Sequence, residues 1–213
     1  MAERIRKAAS VIAAREGRQG PEVLVLERSG TSRFLPGYVA FPGGATDAQD
    51  GRLAERWFGA SEEAPRACAV RELLEEVGLA LTASGLRSAP HGVLDVVAED
   101  PPRAEQLPQI AHWVAPEDVP VRFDARYFAV AAGPDAEPEA DGTEIARAWW
   151  VAPRALLEDW ELGRKKLYWP TYFTLEQLAS CGSVGELLAL RLETREPDPA
   201  DVERLPRSTF WED

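Results

Sequence analysis

EAPRACAVRELLEEVGL, running from Glu63 to Leu79, carries the spacing that decides how the rest of this chain is read. At about 100° per residue, Ala67, Val70, Leu73, Leu74 and Val77 fall on one side of a helix, while Glu72, Glu75 and Glu76 gather on the other. Ser61 is placed to cap the start, Glu62 and Glu63 suit the positive end of the helix dipole, Pro65 fits the first turn, and Gly78 stands where a left-handed C-terminal glycine is expected. The helix therefore presents a core face and a carboxylate face. Like-charged neighbours at these spacings each cost roughly 0.2–0.5 kcal/mol even in solvent, so something must offset the three carboxylates. A hard divalent cation does so directly, because Mg²⁺ and Mn²⁺ prefer oxygen ligands and are commonly held by a few carboxylates together with substrate phosphates. Arg71, four residues before Glu75, can fix that side chain and damp the repulsion. For the carboxylates taken alone, a solvated acidic face is the plain alternative.

The neighbours of the glutamates narrow the choice. Arg71-Glu72-Leu73-Leu74-Glu75-Glu76-Val77-Gly78-Leu79 fits every defined position of the pattern REUxEExGU, U being aliphatic, and seven residues separate Glu63 from Arg71. The stretch resembles the Nudix box, and by it the chain is identified as a member of the Nudix hydrolase superfamily, enzymes that cleave diphosphates linked to another moiety. One position departs from the pattern. Trp57 stands where the family places a glycine, and the glycine that fits is Gly44, with residues 45–62 between it and Glu63. ATDAQDGRLAERWFGASE then reads as an insertion in the loop before the helix, packed onto the surface through Leu53, Trp57 and Phe58. Added loop length costs little, so the site is expected to survive it, with the segment reshaping substrate access and being dispensable for hydrolysis of a small diphosphate.

The resemblance implies an α/β fold, the Nudix-type αβα sandwich with a mixed sheet. It also implies that Mg²⁺ or Mn²⁺ is held by Glu72, Glu75 and Glu76, that Arg71 belongs to the same machinery, and that a bound water is acidified to attack phosphorus. A nearby carboxylate accepts the proton, and Glu144 or a box glutamate fits that role. A second resemblance lies upstream. Arg28-Ser29, Arg33, Gly37 and Phe41-Pro42-Gly43-Gly44 match the R-[SA]-x₃-R-x₃-G-x₃-FPGG motif of coenzyme A diphosphatases, with Leu26 in place of the usual threonine. The long loop after FPGG and the Trp169-Pro170-Thr171 stretch resemble the branch that includes the acyl-CoA diphosphatases. On this basis Arg28, Arg33, Gly43 and Gly44 are expected to bind a nucleotide-diphosphate substrate. Coenzyme A or an acyl-CoA would give adenosine 3′,5′-bisphosphate and an (acyl-)4′-phosphopantetheine. A Nudix enzyme acting on ADP-ribose or a dinucleotide would share every box residue. A ligand-sensing Nudix-like domain would typically have lost metal-binding glutamates, and this box keeps them.

Composition bounds the partners. The 213 residues, 45% hydrophobic and 28% charged, describe an ordinary globular chain long enough for one well-buried domain. A net charge of −12 argues against a nucleic-acid partner and requires that an anionic substrate be drawn in by local cations. Cys68 and Cys181 imply neither a disulfide framework nor zinc, and Cys68 reads as a small buried thiol. His91 and His112 are isolated and carry no assigned chemistry. The apolar run at the start is too short for a signal peptide or a membrane span and the final residues form no peroxisomal address, so a cytoplasmic location with no membrane partner is expected. The sequence leaves a homodimer open.

Along the chain, Ala8 to Ala14 and Glu22 to Arg28 read as a hairpin and Tyr38 to Phe41 as a short strand ending at the glycines. Gly92 to Ala98, Gln109 to Val114, Arg126 to Ala132 and Glu144 to Val151 are further strand candidates, and Gly133 to Gly142 is an acidic loop expected to protrude. A helix begins at Pro153. Thr174 to Ala179 and Val184 to Leu192 read as helices capped by Thr174 and Ser183, giving a core over about 8–160 and a C-terminal helical extension over 161–213. Tyr168, Trp169, Tyr172 and Phe173 serve most simply as anchors of that extension, although a pantetheine or acyl pocket would use the same residues.

Overall fold

The computed structural model describes residues 5–115, 122–206 and 209. The outermost residues read for targeting, 1–4 and 210–213, lie outside the described residues. Strands β1 (Arg6–Gly17) and β2 (Gly20–Arg28) form the expected hairpin, followed by β3 (Tyr38–Ala40) and β4 (Gly43–Ala45). Two helices come next, α1 (Ala48–Phe58) and α2 (Ala64–Val77), then the hairpin β5 (Leu79–Thr82) and β6 (Gly85–Ser88) and the short α3 (Asp95–Glu99). Strands β7 (Gln109–Val114), β8 (Phe123–Ala131) and β9 (Ile145–Val151) lead to α4 (Pro153–Glu161), β10 (Lys166–Leu167), α5 (Trp169–Leu178), α6 (Val184–Ala189) and α7 (Pro199–Arg204).

The main sheet runs β10-β3-β2-β1-β8-β7, with β4 added to β1 and β9 to β2. It is mixed, since β1 runs antiparallel to β2 and parallel to β8. Alternation along β1 sends Val11 and Ala13 to one face and Ile12 and Ala14 to the other. The first face packs against α1 and α2 through Leu53, Trp57, Val70 and Leu74; the second packs against α4, α5 and α6 through Leu156, Phe173, Leu178 and Leu187. The result is the αβα sandwich with a mixed sheet.

Several elements depart from expectation. Residues 61–63 form a 3₁₀ turn before α2 with no side-chain cap, so Ser61 does not cap the helix, while Gly78 does end it at φ 61°. Residues 92–98 hold a turn and α3 in place of a strand, because the segment has no partner strand to satisfy its backbone and turns back on itself through bonds such as Ala98 N–H to Leu94 C=O. The acidic loop does not protrude. Its Glu139 and Asp141 N–H groups donate to Val77 and Glu76 carbonyls at the end of α2, and Ala136 is buried beneath Trp150. Thr174 is interior to α5 and fully buried, whereas Ser183 does cap α6. Among the described residues no helix is long and apolar enough to cross a membrane.

Candidate active site

Residues 45–62 are the largest surprise, and they bear on the site. In place of a surface loop they form α1, whose Asp47 and Asp50 make a reciprocal capping box and whose Leu53, Ala54 and Trp57 enter the core. The reason is amphipathic spacing, which buries one face of the helix against α2. Asp50 sits on that buried face. Its two carboxylate oxygens accept from Arg71, Nε at 2.8 Å and Nη2 at 3.1 Å. The expectation of a surface loop is therefore corrected: the segment packs in the core and supplies the buried counter-ion of a box residue.

Arg71 reaches the box glutamates with its remaining nitrogen. Nη1 lies 2.7 Å from Glu75 Oε2, the i,i+4 contact expected from sequence, and 2.8 Å from Glu72 Oε1. Burial alone opposes the Arg71 charge, but Asp50 and then Glu72 outweigh it and hold the guanidinium above its ordinary range. Glu75 remains partly exposed beside Arg71, while Glu72 and Glu76 face a cavity of about 370 Å³. Glu76 is only 6% exposed, and its Oε2 accepts from the Gly43 N–H at 2.8 Å. Burial, with the Glu72 charge added, pushes its carboxyl well above the ordinary value; Glu72 is raised by burial as well.

The two glycines of the turn are needed for this approach. A methyl group on Gly44 would lie 2.3 Å from Glu72 Oε1, and one on Gly43 would lie 2.4 Å from the Ala9 carbonyl oxygen. Cys68 is buried, as expected, and its thiol donates to the Gly44 carbonyl at 3.6 Å, tying α2 to β4. Glu63, the leading glutamate of the box, is paired with Arg66, which also donates to the Leu107 carbonyl at 3.2 Å.

Glu144 joins Glu72 and Glu76 on the cavity wall. Its position is set by Asp141, whose carboxylate accepts from the N–H groups of Thr143, Glu144 and Ile145 and from the Thr143 hydroxyl. Burial opposes ionisation of Asp141, and these bonds overcome it, holding the carboxyl below its ordinary range. Arg28 lines the same cavity with its Nε donating to the Phe34 carbonyl at 2.8 Å, and it lines an adjoining recess together with Arg33, Ser32 and Thr143. Phe34, Trp113, Phe123, Tyr168 and Trp169 make up an apolar part of the lining. Trp169 thus both anchors α5, stacked edge-on to Trp113 at 5.2 Å, and faces the cavity.

Two acidic oxygen-donor groups side by side, one of them nine-tenths buried with a single backbone donor, suit a hard cation that takes its other ligands from phosphate and water. Among the described residues no three His, Cys, Asp or Glu side chains are gathered as a ready-made cage, and Glu75 lies against Arg71 at 2.7 Å. Asp50 and Asp141 are the site residues that sequence reasoning missed. Asp-x-x-Asp ahead of an apolar run signals a capped helix, which would have located Asp50 but not its partner.

The NUDIX domain model matches residues 4–169, and this chain belongs to the NUDIX domain family. The crystal structure of a NUDIX hydrolase from Alicyclobacillus acidocaldarius is similar at 30% identity and a TM-score of 0.78, covering 91% of this chain and 100% of that one. A Caenorhabditis elegans protein whose name places it among the nudix hydrolases is 28% identical over 191 residues, 82% of this chain. The chain spans 60% of that relative's length. A hydrolase is the class that family and relatives define.

Proposed function

We propose that the protein hydrolyses the diphosphate of coenzyme A or an acyl-CoA, releasing adenosine 3′,5′-bisphosphate and (acyl-)4′-phosphopantetheine. One observation carries this reading. Arg28 and Arg33, at the positions of the coenzyme A motif, line a recess that shares Arg28 and Glu144 with the cavity faced by Glu72 and Glu76. A phosphate in that recess meets a guanidinium fork, which suits it through paired, charge-assisted hydrogen bonds. The apolar wall suits the pantetheine or acyl portion.

Glu72 and Glu76 would hold Mg²⁺ or Mn²⁺ from the cavity wall, and Glu75 would join them on release from Arg71. A bound cation supplies charge neutralisation on the diphosphate and a more acidic water. The Gly43 N–H fixes the Glu76 carboxylate, and Arg71 fixes Glu72 and Glu75. Glu144 accepts the proton of the attacking water as its oxygen bonds to phosphorus. The anhydride P–O bond breaks, and its electron pair leaves with the departing phosphate.

A panel of coenzyme A, acyl-CoA, ADP-ribose and NADH with Mg²⁺ and Mn²⁺ tests the substrate class; hydrolysis of ADP-ribose alone overturns the coenzyme A reading. The finer test compares coenzyme A with dephospho-coenzyme A in wild type, Arg28→Ala and Arg33→Ala. Loss of a charged hydrogen bond costs about 1.5–3 kcal/mol, or roughly a tenfold to hundredfold drop in kcat/KM. The drop is expected for coenzyme A and not for the dephospho form. Equal losses on both substrates exclude 3′-phosphate recognition by these residues.

A further inference from the structure

Leu35 is the one described residue other than glycine whose backbone lies in the left-handed region, at φ 48°. A bulky side chain is strained there, because its Cβ crowds the following carbonyl oxygen, and such strain persists only where the surroundings impose it. Both flanks do so. On one side the Phe34 carbonyl accepts from Arg28 Nε at 2.8 Å. On the other, Pro36 and Gly37 form the corner of a turn closed by the Tyr38 N–H on the Leu35 carbonyl at 3.2 Å, with Gly37 at φ 74°. The Gly37 N–H also donates to the Arg28 carbonyl at 3.2 Å, so the segment is fastened to that arginine from two directions.

Core packing does not account for a leucine at this position. Leu35 is half-buried and belongs to neither core cluster, and a glycine would adopt the same backbone without strain. What Leu35 does line is the cavity of Glu72 and Glu76, alongside Phe34 and Phe123. The adjoining recess of Arg33 does not include it. The halves of coenzyme A differ in the same sense: one is a nucleoside carrying phosphates, the other an arm rich in methyl and methylene groups. We propose that Leu35 is a specificity-determining residue that packs against the phosphopantetheine half of the substrate. The strain is kept because glycine, the relaxed choice, would remove the apolar surface that this half meets. The inference rests on the coenzyme A reading of the site.

The test uses the full chain as wild type, Leu35→Ala and Leu35→Gly, the last suited to the backbone at this position. Hydrolysis of coenzyme A with Mg²⁺ is followed with each product as inhibitor, 4′-phosphopantetheine for one half and adenosine 3′,5′-bisphosphate for the other, alongside Tm. Both variants are expected to raise the 4′-phosphopantetheine inhibition constant, and KM, by about tenfold, the scale of a methylene contact in an apolar pocket. The inhibition constant of adenosine 3′,5′-bisphosphate and kcat are expected to stay within about threefold, since binding common to ground and transition states is what is lost. Leu35→Ala is expected to lower Tm by less than about 2 °C, well short of the loss from truncating a core leucine. Leu35→Gly is expected to melt above Leu35→Ala, because it relieves the backbone strain. Unchanged 4′-phosphopantetheine inhibition in both variants, or an equal rise for the two products, overturns the proposal. Failure of both variants to fold gives Leu35 a purely structural role and also overturns it. A wild type that leaves coenzyme A intact is a different failure, overturning the coenzyme A reading itself and the proposal with it.

Discussion

Glu76 shows at the scale of one residue how the fold prepares a charge it cannot satisfy alone. Its carboxylate has left water for a single N–H from Gly43, beside the acidic Glu72. A carboxyl raised by burial favours the folded state while protonated. That stability is fully present below the ordinary value near 4.5 and is lost as pH rises toward the raised one. The metal-free protein is therefore expected to lose Tm from this group as pH climbs from 4.5, and Glu76→Gln, which keeps an acceptor for Gly43, is expected to remove that loss. The same variant is expected to lower turnover by at least about a hundredfold, as when one stabilising group of a transition-state site is removed. Near-normal activity at saturating Mg²⁺ would show that Glu76 is not a ligand. At this scale the sequence was informative about residue identity and poor about destination. The i,i+4 contact of Arg71 with Glu75 follows from helix periodicity, but Asp50, 21 positions before Arg71, meets it only because two helices pack together. No local pattern encodes that meeting.

Elements were legible where a period had something to report. The β1–β2 hairpin, β7, β8 and β9 all follow alternating or apolar runs bounded by turn residues. The β5–β6 hairpin escaped because Leu79-Ala80-Leu81-Thr82 is buried at every position and shows no alternation to mark it as a strand. Helix α1 escaped for another reason: a family pattern read residues 45–62 as surplus to a loop, and its apolar face was assigned to the surface. Trp57, 6% exposed in the core between α1 and its neighbours, measures the difference. Trp57→Ala is expected to destabilise the protein by about 3–5 kcal/mol, the range for removing a large buried aromatic. Urea unfolding checks this, and a loss under about 1 kcal/mol, the size of most surface effects, would return the segment to the role of a peripheral loop.

At the scale of the whole molecule, the helices that follow Glu161 take part in the core. A helical extension packed onto a finished core would leave both faces of the sheet covered without it. On the second face α4 contributes Leu156 and Trp160, and the rest of the cover comes from beyond Glu161. Leu167, Trp169, Phe173, Leu175, Leu178 and Leu187 are all at most 4% exposed and belong to the core cluster that covers Ile12, Val23, Val25 and Ala129. Strand β10 also pairs with β3, completing that end of the sheet next to the turn that carries Gly43 and Gly44. Burying large apolar side chains contributes about 1.5–3 kcal/mol each, so these six together weigh on the order of 10 kcal/mol. The total stability of a domain is only about 5–15 kcal/mol. A chain truncated after Glu161 is therefore expected to be insoluble or to lack a cooperative melting transition. It is also expected to lose the Trp169 wall of the cavity, so no hydrolysis should survive dilution from denaturant. A soluble truncation that melts cooperatively and binds Mn²⁺ like the full chain would instead make the last quarter of the molecule an appendage, and would place the whole cation site in the part that precedes it.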